Sequence, residues 1–193
     1  WGVDVLPSPD GSFEMTTPDE PPTTTEVIAG PDPVSGDTTR PDWPSVSGTA
    51  RVDRRTKDLA KRLLVGEIAV INHVDLDTVA TESLVAAGVA GVVNAAECIS
   101  GRYPNAGPLL LPATGIPVLD GVGPEVMDKI VDGSTITISG TDVLVDGEVV
   151  ASGERQDMSS FEVVLEHARN NMGDELQRFA ENTLKYIQRE GHL

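Results

Sequence analysis

Two short apolar runs, Glu67–Asn72 and Val89–Asn94, flank a segment, Asp77–Ala87, whose apolar residues recur at helical spacing. The first run reads Glu-Ile-Ala-Val-Ile-Asn and is a strand by its length and apolar continuity. Asp75 or Asp77 supplies the N-cap of the intervening helix, and Gly88 stops it. Strand, helix and strand joined by short connections make a βαβ unit. Within one sheet such a unit is parallel and right-handed.

The flanking sequence extends this α/β pattern. Lys57–Leu64 predicts a short helix ending at Gly66, Gly115–Leu119 a third strand, and Gly123–Ile130 a small helix with Pro124 in its first turn. The character then turns antiparallel. Ser134–Ser139 alternates, Asp142–Val145 follows a Gly-Thr turn, and Glu148–Ser152 follows Asp146-Gly147, a strong hairpin signal. Parallel layers beside hairpins predict a compact β/β/α domain over residues 49–156. Residues 157–193 read as one long amphipathic helix, with Phe161, Leu165, Ala168, Met172, Leu176, Phe179, Thr183 and Tyr186 along one stripe. Gly173 weakens it by about 1 kcal/mol relative to alanine. A stripe of that length requires a partner, either a second copy of the chain or a downstream domain.

Residues 1–48 hold nine of the fourteen prolines and one basic residue, Arg40, so a disordered acidic tail is expected there. The net charge of −17 argues against nucleic acid or an anionic membrane surface as a direct partner. With one cysteine, Cys98, an intramolecular disulfide is excluded, which fits a reducing compartment. No run reaches the roughly 18 apolar residues needed to span a bilayer, and residues 1–14 lack the features of a signal peptide. The chain opens on Trp1, with Met15 a plausible start, and stops directly after the helical stripe, so a fragment of a longer protein is expected.

Asn94–Pro108 is the best site candidate. It leaves the carboxyl end of a buried strand, where open α/β sheets place ligands. Arg102 is suited to a phosphate or carboxylate, helped by the hydroxyls of Ser100 and Tyr103 and by backbone N–H groups around Gly101. The competing reading pairs Arg102 with Glu97 or Asp120. Asn94 and Asn105 are candidates to orient a ligand, against the commoner role of satisfying loop backbone. His73, Asp75 and Asp77 read as a helix cap beside a solvated histidine rather than as a metal set. Cys98 has no histidine near it in sequence. No P-loop, GxGxxG, CxxC or HExxH pattern occurs, so no catalytic or metal residue is assigned.

Gly66-Glu-Ile-Ala-Val70, Gly115-Ile-Pro-Val-Leu119 and the 134–152 hairpins resemble the swivelling phosphohistidine domains of phosphoenolpyruvate-utilising enzymes. Where that family carries its phosphate-accepting histidine, this chain reads Arg102-Tyr-Pro-Asn-Ala106, so the resemblance is architectural only. A second resemblance covers about residues 51–190. Arg55–Leu59, Gly66–Asp77, Asn94–Pro108, Gly115–Asp120, Ala151–Gln156 and Phe179–Tyr186 are similar to blocks of the SteA family of bacterial cytokinetic-ring proteins. In that family the region precedes a thiamin-pyrophosphokinase-like domain and then transmembrane helices. The resemblance implies a regulatory and scaffolding module without catalysis of its own, cytoplasmic and held at the inner face of the membrane. It implies a division-site membrane protein and the chain's own downstream nucleotide domain as partners, with homodimerisation through the last helix. No cofactor is expected in this segment, and ATP would belong to the downstream domain. The alternative is the accessory domain of a thiamin-pyrophosphokinase-like, ATP-binding transferase.

Overall fold

A computed structural model describes residues 42–190, apart from the side chains of Tyr186, Ile187, Arg189 and Glu190. The expectation for residues 1–41 lies outside the described residues. Eight strands form one mixed sheet in the order β7-β6-β5-β1-β2-β3-β4-β8. In chain order they are β1 (Val46–Val52), β2 (Ile68–Ile71), β3 (Gly91–Asn94), β4 (Val118–Asp120), β5 (Thr135–Ser139), β6 (Asp142–Val145), β7 (Glu148–Ser152) and β8 (Glu154–Gln156). The helices are α1 (Thr56–Arg62), α2 (Thr78–Ala87), α3 (Leu110–Ala113), α4 (Val126–Lys129) and α5 (Met158–Glu190).

The βαβ reading holds: β2 pairs parallel to β3, and β3 to β4. Asp77, not Asp75, caps α2, accepting from the Ala80 N–H at 2.8 Å, and Gly88 ends the helix in the left-handed region at φ 71°. A cap of this kind stabilises a helix by about 1 kcal/mol.

β1 begins at Val46, three residues before the sequence-read boundary at Thr49. Its composition, Val-Ser-Gly-Thr-Ala-Arg-Val, carries little apolar signal, and its conformation comes from its neighbours. The first half pairs antiparallel with β5 and the second half parallel with β2. One strand therefore serves both the hairpin and the crossover halves of the sheet. Just ahead of it, the Trp43 ring lies 5.6 Å from the guanidinium carbon of Arg155 on β8, a cation–π contact that ties this entry segment to the far edge strand.

Alternation along the parallel strands sends side chains to two cores. Ala69, Ile71, Val92 and Val118 pack with Leu59, Leu84, Leu111 and Phe161 on the helical side. Ile68, Val70, Val93 and Leu119 pack with Ile136, Ile138, Val143 and Met127 on the hairpin side. This is the expected β/β/α layering. α5 buries apolar side chains in it through its first turns, with Phe161, Leu165 and Ala168. Beyond them the helix is exposed, and at 33 residues it is about 50 Å long.

Gly107 shows how tightly the loop after β3 sits against α2. A Cβ at Gly107 would meet Thr78 N at 2.8 Å and Asp77 C at 3.0 Å, both backbone atoms. Gly107→Ala is expected to destabilise the domain by about 1–3 kcal/mol, as overpacking against an immovable neighbour does. Urea unfolding measures it, and a change below about 0.5 kcal/mol, the scale of ordinary surface substitutions, would show that the contact yields.

Candidate functional site

The loops leaving β2, β3 and β4 are stitched together by backbone and side-chain hydrogen bonds. The fully buried Asn94 accepts from the N–H of His73 (3.0 Å) and of Ala96 (3.3 Å). It donates to His73 O at 2.9 Å and to Cys98 Sγ at 3.2 Å. Asp75 N–H donates to Glu97 O and Leu76 N–H to Cys98 O, each at 3.0 Å, so the two turns run side by side. On the other flank Gly121, Val122 and Gly123 donate to Ala96, Asn94 and Ala95. Asn105 donates to Leu76 O at 2.7 Å and accepts from Gly107 N–H at 3.2 Å. Both carboxamides are thus committed to backbone, and neither is turned toward a ligand.

Asp75 does what a cap would not. It sits in the left-handed region at φ 53°, a conformation in which aspartate is tolerated at modest cost. There its two carboxylate oxygens grip Ser100, accepting from the backbone N–H and from Oγ at 2.8 Å each. His73 turns its Nδ1 to Thr56 Oγ1 at 2.8 Å. Among the described residues no cluster of three or more His, Cys, Asp or Glu side chains is arranged to hold a metal.

Held this way, the loop exposes Arg102, while Tyr103 is 43% exposed. Arg102 pairs with neither Glu97 nor Asp120: it points outward, and Asp120 is buried behind Cys98. Across from the loop, Asn171 of α5 donates to Gly101 O at 3.3 Å. Between them lies a cleft of about 320 Å³, where Ser100, Gly101 and Arg102 face Asp174, Glu175 and Arg178. The two carboxylates of α5 balance the two guanidiniums. A cleft so composed suits a partner of mixed charge better than a bare phosphate.

Beneath the loop Asp120 ends β4, 5% exposed, with both carboxyl oxygens accepting the Cys98 N–H at 3.0 Å. Burial, with a smaller contribution from the Glu97 charge, raises its pKa to about 6 against hydrogen bonds from Cys98 that pull it down. Burial first, and then the Asp120 carboxylate, push the Cys98 thiol well above its ordinary pKa. A fully buried thiol held neutral is a packing group, not a nucleophile.

The helical stripe divides in two. Phe161 and Leu165 belong to the domain's own core. Met172, Leu176 and Phe179 are 38%, 63% and 71% exposed, and the Tyr186 side chain lies outside the described residues. The roles of Asp75 and Asp120 escaped the sequence reading, because nothing local marks a carboxylate as the anchor of a loop twenty-five residues away. No protein-family model and no curated protein matches the chain.

Because the folded pKa of Asp120 lies above its unfolded value, the fold holds this proton more tightly than the unfolded chain does. Its contribution is therefore lost as pH rises from about 4 through about 6, amounting to about 3 kcal/mol. Asp120→Asn keeps the acceptor for Cys98 N–H and removes the titration. Its stability relative to the parent is expected to rise over that interval and to level off above it. A difference that does not vary between pH 4 and 8 in urea titrations would mean that Asp120 does not titrate there.

Proposed function

We propose that the chain is the regulatory and scaffolding module of a SteA-like bacterial cell-division protein, with no catalysis of its own. The reading places it in the cytoplasm at the inner face of the membrane. It works there through two surfaces on one rigid domain: the Ser100–Asn105 loop, which meets a ligand or a neighbouring nucleotide domain, and the exposed half of α5, which pairs with a second copy. The division-site membrane protein and any ATP-binding domain are partners of this module.

The observation that carries the reading is the far half of α5. Met172 and Phe179 follow Leu165 at seven-residue spacing, and Leu176 joins them on the same flank. Leu165 is covered by the domain, whereas the three residues beyond it are exposed. An apolar stripe that continues past its own domain at heptad spacing is the seam of a two-helix interface. The loop chemistry agrees with a scaffold role: its thiol is buried and its two carboxamides are taken up by backbone groups. Among the described residues no helix is long and apolar enough to cross a membrane, and this reading assigns the anchor to the downstream region that the resemblance implies.

Sedimentation of the full chain over a range of micromolar concentrations tests this. A reversible dimer is expected, and Leu176→Asp with Phe179→Asp should weaken it at least tenfold while the domain's melting temperature stays unchanged. A monomer at every concentration, or a dimer indifferent to both aspartates, sinks the proposal. Arg102→Ala is expected to shift the melting temperature by no more than about 2 °C, as for an exposed side chain outside any network. Cooperative unfolding of that variant would instead give Arg102 a structural role.

A further inference from the structure

Six of the chain's fourteen Lys and Arg residues fall within positions 51–62, in a protein of net charge −17. The fold sorts them. Arg51 is committed to Glu67 at 2.8 Å and Arg62 to Asp132 at 2.9 Å. Arg54 reaches Asp128 at 3.6 Å and Lys61 reaches Asp58 at 3.2 Å, both as exposed pairs. Arg55 and Lys57 are exposed, and among the described residues neither forms an ion pair. Both belong to a cleft of about 520 Å³ in which Arg54, Arg55, Lys57 and Lys61 surround Thr56 and His73.

The base of this cleft is fixed. Thr56 is buried and joined to His73 Nδ1 at 2.8 Å, and Asp53 Oδ1 accepts the Arg55 N–H at 2.9 Å, so the turn carrying both cations is held from two sides. The cleft also opens where β1 and β2 end, at the carboxyl edge of the parallel strands, the place where ligands enter α/β sheets. After Asp58 and Asp128 have neutralised their partners, two positive charges remain. A carboxylate would leave one of them uncompensated, whereas a phosphate monoester carries close to two negative charges at neutral pH. The cations come from eight consecutive residues, a short cluster that favours a compact anion over an extended acidic peptide.

We propose that this cleft binds the phosphate group of a small phosphoester or pyrophosphate, with Arg55 and Lys57 as its charged contacts and Thr56 and His73 as its polar floor. The site goes beyond the scaffold reading and is separate from the mixed-charge cleft at Arg102. It gives the module a small-molecule input.

Isothermal titration of the full chain with inorganic pyrophosphate at low salt tests it. Saturable one-to-one binding is expected. Arg55→Gln with Lys57→Gln should weaken it at least tenfold, the loss expected for charge-assisted contacts to phosphate, with Lys57→Gln alone intermediate. The unliganded melting temperature should not change, and Arg169→Gln, on the exposed face of α5, should bind as the parent does. Absence of saturable binding, or equal affinity in the double variant, overturns the proposal. A glutamate-rich peptide that binds more tightly than pyrophosphate also overturns it and assigns the cleft to an acidic protein segment. None of these outcomes bears on dimerisation, which sedimentation reads separately.

Discussion

The Asn94 carboxamide is where the architecture of this domain turns into a site. It lies at the last residue of β3, has no contact with solvent, and satisfies its donors and acceptor on His73, Ala96 and Cys98. A buried amide left without partners costs about 1–3 kcal/mol, so the turn after β2 and the loop after β3 are held in one arrangement. Once that arrangement is set, Asp75 is brought opposite Ser100 and Cys98 over Asp120. The contacts between the turn after β2 and the loop after β3 share the registry that Asn94 holds.

The consequence is a loop that is rigid at its roots and open at its tip. It is tied down through the backbone at Glu97, Cys98 and Ser100 and through the side chain of Asn105, yet Arg102 between them faces outward. Such a loop loses little conformational freedom when it meets a partner, so more of the contact energy appears as affinity. Asp120 lies beneath as a carboxylate with no cation beside it, and its ionisation works against the fold at neutral pH. Buried charges of this kind are retained at a cost to stability.

Charge is divided over the molecule in a way that the net value hides. The acidic excess covers most of the chain, while the turn from β1 into α1 concentrates basic residues and the middle of α5 presents carboxylates to Arg102. In water a pair of charges 4 Å apart is worth about 1 kcal/mol, so these surfaces act on partners by selection and orientation more than by strength. The two clefts open on the same side of the parallel strands as the stitched loops, whereas the α5 stripe extends past the domain.

The parallel unit, the Asp77 and Gly88 ends of α2, the hairpin at Asp146-Gly147 and the long last helix were all legible in the sequence. Each depends on periodicity, caps or turn chemistry that neighbouring residues supply. β1 and β8 were not, because short strands of weak apolar character become strands only when a partner strand stands beside them. The loop was recognisable as a site from its place after a buried strand, but not the division of labour within it. Whether a carboxamide is exposed or clasped, and whether Asp75 caps a helix or anchors Ser100, depends on atoms twenty or more residues away. The sequence by itself determined the parallel unit, the hairpins and the last helix, since local backbone preferences and apolar spacing are short-range properties. Only the tertiary structure decided which polar groups are spent on the fold and which remain for partners, since burial and hydrogen-bond partnership are set by packing.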